Sequence, residues 1–206
     1  MTKALKKAFN ISQWNSLKLN YWGIPKCGNT SVKYALLKTI NKTHQDTSET
    51  HQWVHGLDHA EYISRETALS NGYNNFATIR NPYDRVKSLY KDFGIRRADI
   101  KIMPGVDSGK LQNLDYFLKH YIQQSTDANN IHLRSLSYFL IKDNKLLIDN
   151  VVDINQVDIF LSKYKIDVPT LNTTQDIDIE FTDQQKYLIY TRYQQDFEIF
   201  GYNKCF

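Results

Sequence analysis

Lys26, Gly28, Thr30 and Ser31 fall in one short stretch, Pro25-Lys26-Cys27-Gly28-Asn29-Thr30-Ser31. A cation, a glycine and two hydroxyls in that order are the parts of an anion cradle. The run before Pro25 is apolar and reads as a strand. After it, Val32, Ala35, Leu36 and Ile40 share one helical face. A small-residue loop between strand and helix leaves free N–H groups at the helix start, where the dipole also favours negative charge. Gly28 permits close backbone approach. The lysine precedes the loop glycine, so this is not a Walker A loop. Taken alone, a surface lysine in an ordinary strand-to-helix turn explains the stretch as well.

A second stretch narrows the reading. Asn75 to Ile79 reads as a buried strand, and Arg80-Asn81-Pro82-Tyr83-Asp84-Arg85 leads from it into a helix carrying Ser88 and Tyr90. Asn81 is an N-cap, Pro82 suits the first helical position, and Asp84 is an acid in the first turn. Arg80 offers a planar fork of donors for a phosphate, and Ser88 offers a hydroxyl.

Together the two stretches resemble the sulfotransferases that use 3′-phosphoadenosine 5′-phosphosulfate (PAPS). In that family a Pro-Lys-x-Gly-x-Thr-Ser/Thr loop takes the 5′-phosphosulfate. An Arg-Asn-Pro-aromatic-Asp/Glu-Arg motif, followed by Ser and Tyr, takes the 3′-phosphate. Both patterns are present in order. The resemblance continues more weakly through His132, Leu146 to Tyr164 and Leu171-Asn172, then strengthens at Tyr193-Gln194-Gln195-Asp196-Phe197-Glu198-Ile199-Phe200-Gly201-Tyr202. Asn155-Gln156 stands where the family usually has a glutamate. That puts a structural pairing in doubt, not the chemistry. Within the family the chain resembles the carbohydrate branch of the heparan 2-O type.

The resemblance implies Lys26, Cys27, Gly28, Asn29, Thr30 and Ser31 at the 5′ side of the donor, and Arg80 and Ser88 at its 3′ side. It implies PAPS as co-substrate and a carbohydrate hydroxyl as acceptor. No metal is expected, because the donor is already activated and no His/Cys/carboxylate ligand set clusters in the sequence. Lys26 is the expected catalytic cation. The base is expected at His55 or His59, near where related carbohydrate sulfotransferases keep theirs. Asp58 with Glu61 has capping-box spacing, which would place His59 at a helix start and His55 at a strand end, on the same sheet edge as Lys26 and Arg80; this ranks His55 ahead of His59. His51, Glu49, Glu61 and His132 stay open as alternatives, and a lone histidine is more often structural.

The elements that must position these residues follow in order. Residues 1–18 read as an amphipathic lead, Leu19 to Ile24 as the first strand, and Thr30 to Ile40 as the first helix. His51 to His55 reads as a short strand, and a helix from Asp58 runs through Ile63, Ala68 and Leu69 to Asn71-Gly72. After the Phe76 strand and the Pro82 helix, Asp99 to Gly109 reads as a mobile loop. Leu114 to Ile122 is helical, Leu146 to Val152 a strand, Val157 to Tyr164 a helix, and Thr182 opens the last helix, which ends at Gly201. Alternating strands and helices give an α/β class. The family likeness makes it a three-layer, P-loop-like fold with a central parallel sheet, in one domain spanning residues 1–206.

Composition excludes several classes. Hydrophobic content of 41% with 23% charged residues is that of a globular chain. A net charge of +4 suits an anionic nucleotide but is too weak and dispersed for nucleic acid, and the 14 tyrosines fit core packing better than base stacking. No stretch reaches the length of a membrane span. Two cysteines, Cys27 and Cys205, set apart in the sequence, point to a reducing, cytoplasmic setting. Many of the carbohydrate sulfotransferases that the chain resembles carry an N-terminal anchor; the lack of an apolar leader here implies a soluble enzyme of bacterial or viral type, or a trimmed chain. Two rivals remain: a P-loop-like small-metabolite kinase, which would need a Walker lysine and a magnesium-binding acid, and a non-catalytic nucleotide- or glycan-binding homologue.

Overall fold

The computed structural model describes residues 10–40, 54, 60–96, 105–128, 130–169 and 177–206. The strands are β1 (Ile11–Trp14), β2 (Leu19–Trp22), β3 (Glu61–Ile63), β4 (Asn74–Ile79), β5 (Ile141–Lys142), β6 (Lys145–Leu146) and β7 (Asn150–Asp153). The helices are α1 (Asn29–Lys38), α2 (Arg65–Ser70), α3 (Pro82–Leu89), α4 (Leu114–Tyr116), α5 (Leu136–Leu140), α6 (Val157–Ser162) and α7 (Asp183–Phe200). Wider π-helical turns carry α3 on through Tyr90–Arg96 and α4 on through Phe117–Ile122.

Two compact units make up the chain. The first is Met1–Ile79 with Lys142–Asn172, the second Arg80–Ile141 with Thr173–Phe206.

The first unit is a five-stranded sheet, ordered β3-β1-β2-β4-β7. Its β2, β4 and β7 run parallel, as an α/β reading requires. The sheet is nevertheless mixed rather than parallel throughout, because β1 runs antiparallel to both β2 and β3. The cause is local. Only Asn15–Leu17 and Lys18, in the left-handed region at φ 49°, join β1 to β2. So short a connection closes an antiparallel hairpin and cannot make a parallel crossover.

Period-2 alternation sends the two faces of the sheet to different helices. Leu19, Tyr21 and Phe76 share one core with Val32, Ala35 and Leu36 of α1 and with Val157 and Leu161 of α6. On the other face, Asn20 Nδ2 and Asn75 Nδ2 both donate to the Ala68 carbonyl of α2, each at 3.1 Å.

The segment read as one helix from Asp58 divides differently. Glu61–Ile63 is the edge strand β3, with Tyr62 and Ile63 buried against β1. The helix starts only after Ser64, whose side chain accepts from Thr67 N. Glu61 is therefore a strand residue and not the second half of a capping box. Ile11–Trp14, assigned to a lead, is the strand β1. Val54, helical and buried, is the one described residue of the expected 51–55 strand.

The second unit is helical. Val86, Leu89, Phe93, Phe117, Tyr121, Ile189 and Phe197 form its core. The caps follow the sequence: Asn81 accepts from Tyr83 N with Pro82 at the first position of α3, and α7 opens on a full Thr182–Gln185 capping box and stops at Gly201, φ 70°.

Candidate active site

The Lys26 loop leaves the C-terminal end of β2, where ligand sites of α/β sheets form. It holds two left-handed residues, Lys26 at φ 67° and Gly28 at φ 75°. A non-glycine residue there is uncommon and marks a backbone fixed by its surroundings. At Gly28 a side chain would be strained by φ, and its Cβ would lie 2.9 Å from Ile154 Cδ1, which would have to shift. Gly28 is the N-cap of α1 and supplies no side chain, and the first turn holds no acid. The first intrahelical bond runs from Val32 N to Gly28 O at 3.1 Å. The Gly28 N–H makes no hydrogen bond among the described residues.

Both ends of the loop are tied down. At its start Gly23 N donates to Asn10 O at 3.1 Å, and Asn10 Nδ2 donates to Gly23 O at 2.7 Å. Asn10 is itself oriented by Lys33, whose Nζ donates to Asn10 Oδ1 at 2.6 Å and to Tyr62 Oη at 2.8 Å. The Lys33 side chain is buried and is a strut of the fold, whereas Lys26 is half-buried. Asn29 packs over Gly23, where a Cβ would come within 2.6 Å of Asn29 Oδ1. That oxygen is buried and accepts no hydrogen bond among the described residues. At the loop's far end, the buried Thr78 Oγ1 donates to the Cys27 carbonyl at 2.6 Å.

Sequence reasoning did not single out Asn10, Lys33, Tyr21 or Thr78. Thr78 did carry a signal, since a hydroxyl in the buried run Phe76-Ala77-Thr78-Ile79 must find partners.

In the second unit, Arg80 and Ser88 are half-buried, and the side chain of neither makes a hydrogen bond or ion pair among the described residues. Arg85 behaves in the opposite way. It is 2% exposed, donates to the His132 carbonyl at 3.3 Å and faces the Tyr193 ring. Asp196 accepts from Leu136 N at 2.7 Å and Ser137 N at 2.8 Å, at the start of α5. Burial pushes the Asp196 carboxyl up, while those N–H groups and Arg85 pull it back. Tyr193 Oη and Arg192 Nη2 both donate to the Leu133 carbonyl. The backbone around His132 is thus held by the two motifs Arg85 and Tyr193–Asp196. His132 lies edge-on to Phe93, and His120 is stacked on Tyr116.

The structure therefore places Lys26, Cys27, Gly28, Asn29, Thr30 and Ser31 together at one helix start in the first unit; in the second, Arg80 lies just before α3 and Ser88 near its C-terminal end. His55 and His59, with His51 and Glu49, lie outside the described residues. Glu61 is exposed on β3. Among the described residues no three His, Cys, Asp or Glu side chains are grouped to hold a metal ion.

The sulfotransferase family profile matches residues 9–157, from just before β1 to the start of α6. The chain belongs to the sulfotransferase family. No curated protein and no solved structure matches it. The match takes in the Lys26 loop and the Arg80–Ser88 stretch, and sulfuryl transfer is the general chemistry that membership carries. The family's carbohydrate 2-O branch is consistent with the match. The Tyr193–Tyr202 motif lies beyond the matched residues. No helix among the described residues is long and apolar enough to cross a membrane.

Proposed function

We propose that this sulfotransferase moves the sulfuryl group of PAPS to an acceptor hydroxyl, that of a carbohydrate, without a metal. The observation that carries the reading is the start of α1. Its cap is a glycine, its first turn holds no acid, and a half-buried lysine precedes it. Such a terminus favours an anion through its free N–H groups and its dipole. Arg80 and Ser88, half-buried and unbonded among the described residues, supply the second anion subsite. The fold proposed for this arrangement is P-loop-like.

When bound, PAPS supplies the activated sulfur and a 3′,5′-bisphosphate leaving group. The acceptor oxygen forms a bond to sulfur while the bond from sulfur to the 5′-phosphate oxygen breaks, and that oxygen keeps the electron pair. Lys26 and the Gly28 to Ser31 amides and hydroxyls stabilise the charge gathering there. Arg80 and Ser88 hold the 3′-phosphate and set the register of the nucleotide. The acceptor proton passes to His55 or His59, which must be neutral to take it. Cys27 and Cys205 are not joined in a disulfide, and the setting proposed for the enzyme is cytoplasmic.

Calorimetry with adenosine 3′,5′-bisphosphate in the presence of EDTA tests the donor. Binding that needs no magnesium and exceeds that of ATP with magnesium is expected. Preference for ATP with magnesium would instead favour a kinase.

A further inference from the structure

Thr78 is the penultimate residue of β4, wholly buried, with its side chain on the same sheet face as Tyr21 and Phe76. A hydroxyl owns a single proton, and here it is committed to the Cys27 carbonyl at 2.6 Å. The 3.0 Å contact between Thr78 Oγ1 and Tyr21 Oη must therefore be one that Tyr21 donates. Burial raises the Tyr21 phenol above its ordinary pKa, so that proton stays in place. Tyr21, Thr78 and Cys27 O form a one-way chain that ends on the loop.

The peptide joining Cys27 to Gly28 is planar and trans, so its C=O and N–H point in opposite directions. Drawing the carbonyl down onto Thr78 turns the Gly28 N–H away from the sheet. The next carbonyl, that of Gly28, is fixed by Val32 N. With both sides of Gly28 held, its unbonded N–H has one direction.

We propose that Thr78, backed by Tyr21, is a positioning residue that aims the Gly28 amide at the 5′-phosphate of the nucleotide donor; this rests on the PAPS reading. Its contribution goes to the 5′ side of the nucleotide and leaves the 3′ side untouched.

The test is calorimetric titration of the wild type, Thr78→Val, Thr78→Ser and Tyr21→Phe with adenosine 3′,5′-bisphosphate and with adenosine 3′-phosphate. The wild type should prefer the bisphosphate. Thr78→Val keeps the shape of the side chain but loses the donor, and should weaken bisphosphate binding about tenfold, the scale of one hydrogen bond. Its affinity for adenosine 3′-phosphate should not change, and Thr78→Ser should restore the preference. Tyr21→Phe should show a smaller loss with the same selectivity, and it carries the test if Thr78→Val does not fold. A wild type without preference for the bisphosphate overturns the donor reading and this inference together. A wild type with the preference, and a Thr78→Val or Tyr21→Phe variant that keeps it in full or loses both ligands equally, overturns the inference alone. So does a Thr78→Ser variant that fails to recover.

Discussion

Arg85 and His132 are joined side chain to backbone, the guanidinium donating to the histidine's carbonyl oxygen at 3.3 Å. Arg80, earlier in the same motif, makes no such bond among the described residues. One stretch of sequence thus holds a structural arginine and an available one. Arg85→Met would leave the buried Asp196 carboxylate without its nearby cation. We expect a stability loss of about 1–3 kcal/mol, the cost of leaving buried polar groups without a partner. Arg80→Ala should change stability by less than about 0.5 kcal/mol, as an unpaired surface substitution does. Urea unfolding of the two variants checks the contrast.

Arg80→Ala and Ser88→Ala should act on the donor instead. Each should raise the KM for PAPS and shrink the preference for a 3′-phosphorylated donor over one lacking that phosphate. Steady-state kinetics with the two donors decides it. An equal loss for both would put the 3′-phosphate elsewhere.

The base is tested by His55→Ala and His59→Ala. The helix expected from Asp58 begins instead after Ser64, so the cap that ranked His55 ahead of His59 is gone. One of the two variants should lose about a hundredfold or more in kcat, the scale of general-base loss. Bisphosphate binding should survive in both. If both stay active, the base is a carboxylate or His132.

What could be read from the sequence was what local chemistry dictates. The β2–loop–α1 unit, the Asn81-Pro82 start of α3 and the Thr182-to-Gly201 helix each carry caps, glycines or periodicity within a few residues. Glu61–Ile63 was misread because Asp58 and Glu61 mimic a capping box, while the pairing that makes β3 comes from Ile11–Gln13, far away in the chain. Ile11–Trp14 was taken into the lead because a four-residue strand is made by its pairing with β2 and β3, and only then does the short Asn15–Lys18 connection fix its direction. At the candidate site, residue types and spacing pointed to the loop itself. They could not show that Thr78 reaches Cys27 or that Lys33 orients Asn10, because those contacts exist only once β2 and β4 are paired and α1 has packed.

Acid stability should depend on Asp127. Its carboxylate accepts from Ser135 N at 2.7 Å, Ser135 Oγ at 2.8 Å and Arg192 Nη2 at 2.9 Å. Burial alone would raise this carboxyl, but those bonds outweigh it and hold it below the ordinary carboxylate range. The unfolded chain therefore binds the proton more readily. The stabilisation is complete above the ordinary aspartate value of about 3.9 and fades as pH falls through the lower folded value. Melting temperatures of the wild type and Asp127→Asn, followed downward from pH 6, should differ most at the top of that range and converge at its acid end. The raised Asp196 carboxyl is common to both proteins and cancels in the difference. A gap that does not close on acidification would contradict the assignment.

The central claim is tested most directly by turnover with PAPS labelled in its sulfuryl group, in EDTA, across a panel of glycans, lipids and small alcohols. Label should pass to a carbohydrate hydroxyl. Lys26→Ala should raise the barrier by about 3 kcal/mol or more, as removing a group at the developing charge does, while binding of the bisphosphate product weakens only slightly. Failure of the wild type to transfer label to any acceptor, or near-normal turnover by Lys26→Ala, would contradict the account.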